Sequence, residues 1–376
     1  MTADPPMCDY RTMADQGEWP DIGERIRTAR LAARLSQSEL AAAIGLDRTM
    51  IAKMEAGSRR VDALELARLA TALGVPMATF LERGPLVLSH RSMTLTEDTD
   101  TEAGRETVTL DIALATWFRE LRQLIGIGML TPRPVMSYPH KVTSAEDARR
   151  AAMWLRDELH LADQPIDSMM SLCEQCGQQV LVTSLPGDGA SAIDGDLAAA
   201  VVSLQGDPGR RRATAAHELG HMLLGDEYSS DLGVNASRES REAVINAFAA
   251  ELLMPMSAFA RHKASGEPIT RDQLLRLAAT YRTSWSLTVR QARAAGLGPF
   301  SPRMVQASPT RAEFLEAIGW TPQPDLDSIR VPPAFANAVM RAWRDGYLTR
   351  TRVVELMHGQ IEENDLPRDA EGDVAP

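Results

Sequence analysis

The sequence predicts a mainly α-helical protein in three parts: a five-helix N-terminal module, an α+β body and a helical C-terminal region. Three observations carry this expectation. Short helical patterns, broken by Gly and polar turns, fill residues 22–83. Two β-like runs, QQVLVTSL (178–185) and LAAAVVSL (197–204), sit between Gly- and Asp-containing turns amid otherwise helical text. After Gly296 the text turns Pro-rich, and helical patterns resume over 310–363.

The 376 residues, 44% of them apolar, suffice for two or three packed domains. The net charge of −11 argues against a chain that coats nucleic acid along its whole length. The charge is unevenly spread. Residues 21–84 hold ten Lys/Arg and eight Asp/Glu, a balance of +2, which leaves −13 on the remainder. A less acidic module on an acidic body suits local contact with DNA. Three cysteines make no disulfide framework, and no apolar run is long enough to span a membrane, so the chain reads as cytoplasmic. The opening MTADPPMCDYRTMADQGEWPD lacks the basic and apolar regions of a secretory signal, and residues 1–20 are expected to be a disordered tail.

The module spans 21–84. Its first helix runs to about Arg34. Ser36 caps a second helix, QSELAAAI, Gly45 permits a tight turn, and Asp47 caps a third helix, RTMIAKMEA. Ala41, Ile44, Ile51 and Met54 are placed to hold helices two and three together, while Arg48, Thr49 and Lys53 point outward. An apolar back and a short polar front are what a helix needs to reach base edges in the major groove. The run SQSELAAAIGLDRTMIAKMEAGSR resembles the Cro/repressor-type (XRE) helix-turn-helix family over about 60 residues. The resemblance implies that Gln37, Arg48, Thr49 and Lys53 contact DNA, that Arg59 and Arg60 meet phosphate, and that the module binds double-stranded DNA as a homodimer.

Residues 85–107 are polar and acidic and read as a linker. From Val108, the residues Leu110, Leu114, Phe118 and Leu121 share one helical face and open a body expected to run to residue 297. TSAEDARRAAMWLRDELHL (143–161) is a helix with Ser144 and Asp147 spaced as a capping box, and PIDSMMSLCEQCG (165–177) is a helix with Pro165 early and Gly177 as its stop. The two β-like runs follow, then a helix bearing RRRATAAHELGHMLLGDE (210–227), then a second long helix over 238–254. Residues 298–376 form the helical C-terminal region, to which the sequence assigns no role.

The chemistry concentrates in the body. His217 and His221 lie four residues apart, about 400° around a helix, so both imidazoles leave one face about 6 Å apart along the axis. They can grip one ion, with Glu218 beside them as a general base toward water. Small Gly220 allows another element to approach closely. Zinc sites of this kind take a third protein ligand. Glu242, 21 residues after His221, is the best placed, with Asn246 one turn further on the same face to orient a ligand. Glu239 and Glu251 compete; Glu239 lies near the helix start, and Glu251 lies on the face opposite Glu242. Two His and one Glu suit Zn and also accept Mn or Fe.

ATAAHELGHMLLGD, followed by E-x-x-x-N-x-F-A-A-E-L-L-M-P, resembles the ImmA/IrrE-type metallopeptidase family. The likeness extends over about 150–295 and takes in LPGD (185–188) and LAATYRTSWSLTVRQARAAGL (277–297). It implies a zincin-like fold with a small sheet over the metal-binding helix. His217, His221 and Glu242 map onto the ligands and Glu218 onto the catalytic glutamate. It also implies the substrate, a partner repressor protein whose cleavage releases stress-response or mobile-element genes. Two departures stand out: Ile245 where the family often has Ala, and the Ala-rich run AAAVVSL. Tyr228, His262 and Tyr281 are candidates to stabilise an oxyanion. A non-proteolytic regulator with a structural or sensory metal site is the rival expectation; such a site has no need of Glu218. The Cys173-x-x-Cys176 pair has only Cys8 beside it and sits at a helix end, so no metal or redox role is assigned; His90, His140, His160 and His358 show no partner spacing.

Overall fold

The computed structural model describes residues 18–82, 84, 87–91, 102–225, 235–305 and 307–367. Most of the expected tail therefore lies outside the described residues, although Glu18–Pro20 are already helical. The chain divides into two compact units, Met1–Gly84 with Met93–Thr116, and Pro85–Ser92 with Trp117–Pro376.

The first unit holds five short helices: α1 (Glu18–Ala32), α2 (Gln37–Ile44), α3 (Arg48–Glu55), α4 (Ala63–Leu73) and α5 (Ala78–Leu81). A further helix, α6 (Glu102–Gly126), starts in this unit and ends in the second. Local chemistry fixes the helix ends. Ser36 and Glu39 form a capping box on α2, and Gly45 ends it in the left-handed region at φ 72°. Asp47 occupies the cap position of α3, but its side chain makes no capping hydrogen bond, contrary to expectation. The core contains Ile26, Leu40, Ile44, Ile51, Met54, Leu69 and Phe80. Within it Arg30 of α1 forms a two-pronged ion pair with Glu55 of α3 at 2.6 and 2.9 Å.

The second unit is α+β. Its sheet contains β1 (Val87–Arg91), β2 (Gln178–Thr183), β3 (Gly189–Asp194) and β4 (Leu197–Ser203) in the order β1-β3-β4-β2. β2 runs parallel to β4; β3 is antiparallel to both β4 and β1. The two β-like runs of the sequence are β2 and β4. β3 and β1 are not among the expected strands, and β1 falls in the stretch read as linker. The helices are α7 (Ala145–Glu158), α8 (Met169–Gln175), α9 (Pro208–Leu223), α10 (Asn235–Leu253), α11 (Ala260–Ser265), α12 (Arg271–Tyr281), α13 (Trp285–Ala294), α14 (Pro302–Val305), α15 (Arg311–Ile318), α16 (Pro333–Arg344) and α17 (Arg350–Leu356). The Ser144–Asp147 capping box of α7 is present. α8 starts later than expected, because Ser168 rather than Pro165 caps it.

β4 is buried along its whole length, and its small side chains Ala198 and Ala200, on the face shared with Ser191, let α9 lie close to the sheet. The Ala-rich run is thus a packing requirement. The C-terminal region completes this unit rather than standing apart. Arg330 exchanges backbone hydrogen bonds with Val182 of β2, both at 2.9 Å. Phe335 packs on Trp117 at 4.6 Å between ring centroids, and Trp117 donates to the Gln179 carbonyl at 2.9 Å. Asp325, buried, pairs with Arg212 of α9, which is wholly enclosed. Among the described residues no single helix is long and apolar enough to cross a membrane.

Candidate functional site

α9 starts cleanly. Asp207 accepts a hydrogen bond from the Arg210 amide and Pro208 sits in the first turn, where its missing N–H costs nothing. The helix then passes through the core, and His217, Glu218 and His221 are all buried. Gly220 lets α10 cross it closely. A Cβ there would lie 2.9 Å from Phe248 Cδ1 and 3.2 Å from Ile245 Cγ2. Ile245, the departure noted in the sequence, is a fully buried packing residue at this crossing.

The crossing brings Glu242 to the histidines. His217 Nε2 and His221 Nε2 lie 3.0 Å apart. Glu242 Oε2 is 3.1 Å from His217 Nε2, and Oε1 is 3.7 Å from His221 Nε2. A tetrahedral ion with ligands at about 2.0–2.1 Å sets neighbouring ligand atoms about 3.3 Å apart. The three residues therefore fit such an ion, and among the described residues they form the one cluster with this property. His217 Nδ1 lies 3.3 Å from Asn246 Oδ1. Donation to that oxygen leaves Nε2 with its lone pair toward the cluster.

The structure separates Glu242 from Glu251. Glu251 is buried elsewhere on α10, where it accepts hydrogen bonds from the Met256 amide at 2.9 Å and from Gln291 at 3.2 Å. Burial pushes its carboxyl above the usual range, an effect the hydrogen bonds only oppose. The Glu239 side chain lies outside the described residues.

Glu218 faces the sheet. Its Oε2 accepts a hydrogen bond from Ser191 Oγ of β3 at 2.7 Å, and its Oε1 is buried with no hydrogen-bond partner. Gln178 of β2 donates to the Glu218 carbonyl at 3.1 Å. Gly189 makes the close packing possible, since a Cβ there would sit 2.8 Å from Thr214 Cγ2 of α9. A buried carboxylate oxygen left unpaired is costly unless something else engages it. Sequence reasoning missed Ser191 and Gln178. The run GASAID, bounded by PGD and DGD, carried the signal of a short strand between turns.

Of the oxyanion candidates, Tyr281 is committed elsewhere, since its hydroxyl donates to the Asp163 carbonyl at 2.7 Å. His262 is half-buried on α11 with Nδ1 unpartnered, and Tyr228 lies outside the described residues. Cys173 and Cys176 are free and enclosed, and burial pushes the Cys176 thiol up to about 12.

In the first unit, Arg48, Thr49 and Lys53 form an exposed face on α3, while Ala41, Ile44, Ile51 and Met54 are buried behind it. Gln37 is half-buried and donates to Glu55 at 2.8 Å. Arg59 is engaged by Glu65 through two hydrogen bonds at 2.6 and 2.9 Å, whereas Arg60 is exposed.

These features define a two-part protein, a helix-turn-helix unit joined to an α+β unit with a His-Glu-His metal-type cluster. The helix-turn-helix family matches residues 26–80, and the IrrE N-terminal-like domain family matches residues 175–291. The chain thus carries an XRE-type helix-turn-helix domain fused to an ImmA/IrrE-type domain. It is similar to an uncharacterized transcriptional regulator in the ATPase CF(0) region of Rhodospirillum rubrum, 42% identical over 66 residues. That match covers 17% of this chain and 61% of the relative's length.

Proposed function

We propose that this protein is a DNA-binding transcription regulator whose second unit is a metal-dependent endopeptidase acting on a partner repressor. The observation that carries the reading is the convergence of His217, His221 and Glu242 beside Glu218, whose free oxygen is buried with nothing in the protein to engage it. His217, His221 and Glu242 hold the ion, with Zn the first choice and Mn or Fe acceptable to the same donors. When bound, it supplies a Lewis acid of the kind that acidifies water and polarises a carbonyl. Glu218 takes the proton from water and hands it to the leaving amine, held meanwhile by Ser191. Asn246 fixes the His217 ring.

The domain plan behind this reading is a DNA-binding part at 21–84, a peptidase body at 108–297 and a supporting C-terminal region. Arg48, Thr49 and Lys53, with Gln37, read bases, and Arg60 meets phosphate. Arg59, held by Glu65, orders the loop beside it. Dimerisation on two half-sites and a cytoplasmic location suit a protein that works on DNA.

The test mixes the full chain, loaded with Zn or Mn, with the repressor encoded beside its gene. A discrete cut is expected, lost on chelation and lost in Glu218→Gln, while metal stays at one equivalent in that variant. Intact metal and operator binding without any cut would replace this reading with a non-proteolytic regulator.

A further inference from the structure

The outer edge of β3 is where an extended peptide would have to lie to reach Glu218. β3 is laid directly on the catalytic turn of α9, through the Ser191–Glu218 hydrogen bond and the close approach at Gly189. Its inner edge is paired with β4. Its outer edge offers the backbone N–H and C=O groups that bind an added strand. In this structure that edge is already filled. β1 pairs with it in antiparallel register, Ser89 opposite Ser191, His90 opposite Ala190 and Arg91 opposite Gly189. β1 also runs alongside α9.

We propose that β1 is a resident occupant of the peptide-docking edge, so that an extended segment of a protein substrate binds only as residues 87–91 leave it. The inference rests on the peptidase reading for its purpose but not for its geometry. Two properties of β1 suit a displaceable strand. It is only five residues long. Its register with β3 also breaks between Val87 and Ser89, beside the position of Ser191, so the ladder is interrupted where it passes the site. A strand with a continuous ladder would hold the edge permanently; a short and broken one competes with an incoming strand of better fit. β1 follows the last helix of the DNA-binding unit by five residues, since α5 ends at Leu81. The occupant belongs to the same chain as the edge, so an incoming strand competes with an intramolecular one.

The experiment uses the full chain with Glu218→Gln throughout, so that bound peptide is not consumed and the outcome is independent of cleavage. The probe is a fluorescent peptide with the sequence of residues 85–92, PLVLSHRS. Its binding is compared between the chain with native β1 and one in which residues 87–91 are replaced by Gly and Ser. At least tenfold tighter binding to the replaced chain is expected, together with faster amide exchange over 189–194 that the peptide reverses. A second variant guards against misfolding of the first. His90→Cys with Ala190→Cys ties β1 to β3 when oxidised, and peptide binding is expected to vanish on oxidation and return on reduction. Equal affinity in native and replaced chains, or binding that survives the oxidised tie, overturns the proposal. Failure of the peptidase reading shows itself separately, as competition for the edge in a protein that cuts nothing.

Discussion

At the scale of single residues, Ser191 is the most informative side chain. It donates to Glu218 from a strand whose one large apolar residue is Ile193, and it is wholly buried. Ser191→Ala leaves both carboxylate oxygens of Glu218 without a protein donor. A loss of about 1–3 kcal/mol in denaturant unfolding is expected for an orphaned buried acceptor, with metal stoichiometry unchanged. If stability is unaltered, the hydrogen bond has no structural weight. The histidines were legible from their four-residue spacing, and Glu242 from its place on the following helix, with Glu239 and Glu251 as competitors. Ser191 was not, because its role depends on a strand pairing that no local pattern encodes. Arg59 shows the converse. A basic residue in a helix-turn-helix module reads as a phosphate contact, and its pairing with Glu65 six residues later was not foreseen.

At the scale of elements, the α9–α10 crossing decides whether the metal cluster exists. The chain could not bring Glu242 beside His217 if residue 220 carried a bulky side chain. Gly220→Val is expected to cost about 1–3 kcal/mol through overpacking against Phe248 and Ile245 and to lower metal content below one equivalent, read by calorimetry and metal analysis. A second joint ties α12 to α15. Arg271 hydrogen-bonds Glu313 at 2.8 Å and, helped by the Thr310 amide, holds its carboxyl down to about 2. The folded pKa lies below the ordinary glutamate value of 4.5, so this contribution is present above about pH 4.5 and lost as pH falls toward 2. In thermal melts, the stability gap between the native chain and Glu313→Gln is expected to close over that interval; a gap that persists at pH 2 would show that the pair is not its source. Helix existence and caps were largely readable, because Ser36, Ser144 and Gly45 signal locally. The sheet was half readable. β2 and β4 carry sustained apolar runs, whereas β1 has only Val87 and Leu88 ahead of three polar residues and β3 only Ile193 among small and polar ones, so neither makes an apolar run.

At the scale of the whole molecule, residues beyond 297 belong to the fold of the second unit. Arg212 is wholly enclosed and its main counter-charge, Asp325, comes from the C-terminal region. Asp325→Ala strands a buried guanidinium and is expected to cost about 3–5 kcal/mol. Truncation at residue 297 is expected to give insoluble protein, and soluble folded material from such a truncation would refute the dependence. The sequence showed these helices but not their attachment, since an ion pair between positions 113 residues apart leaves no periodic trace.

α9 carries this buried charge near one end and the candidate metal ligands His217 and His221 near the other. A metal bound at one end would stabilise the helix that the other end anchors. If the cluster holds a metal, loading is expected to protect the C-terminal helices from proteolysis, and a partner that pries Asp325 from Arg212 is expected to weaken metal affinity by the same factor. A cell short of such a metal would then hold a protein whose residues beyond 297 are loosened, and its abundance would report metal supply.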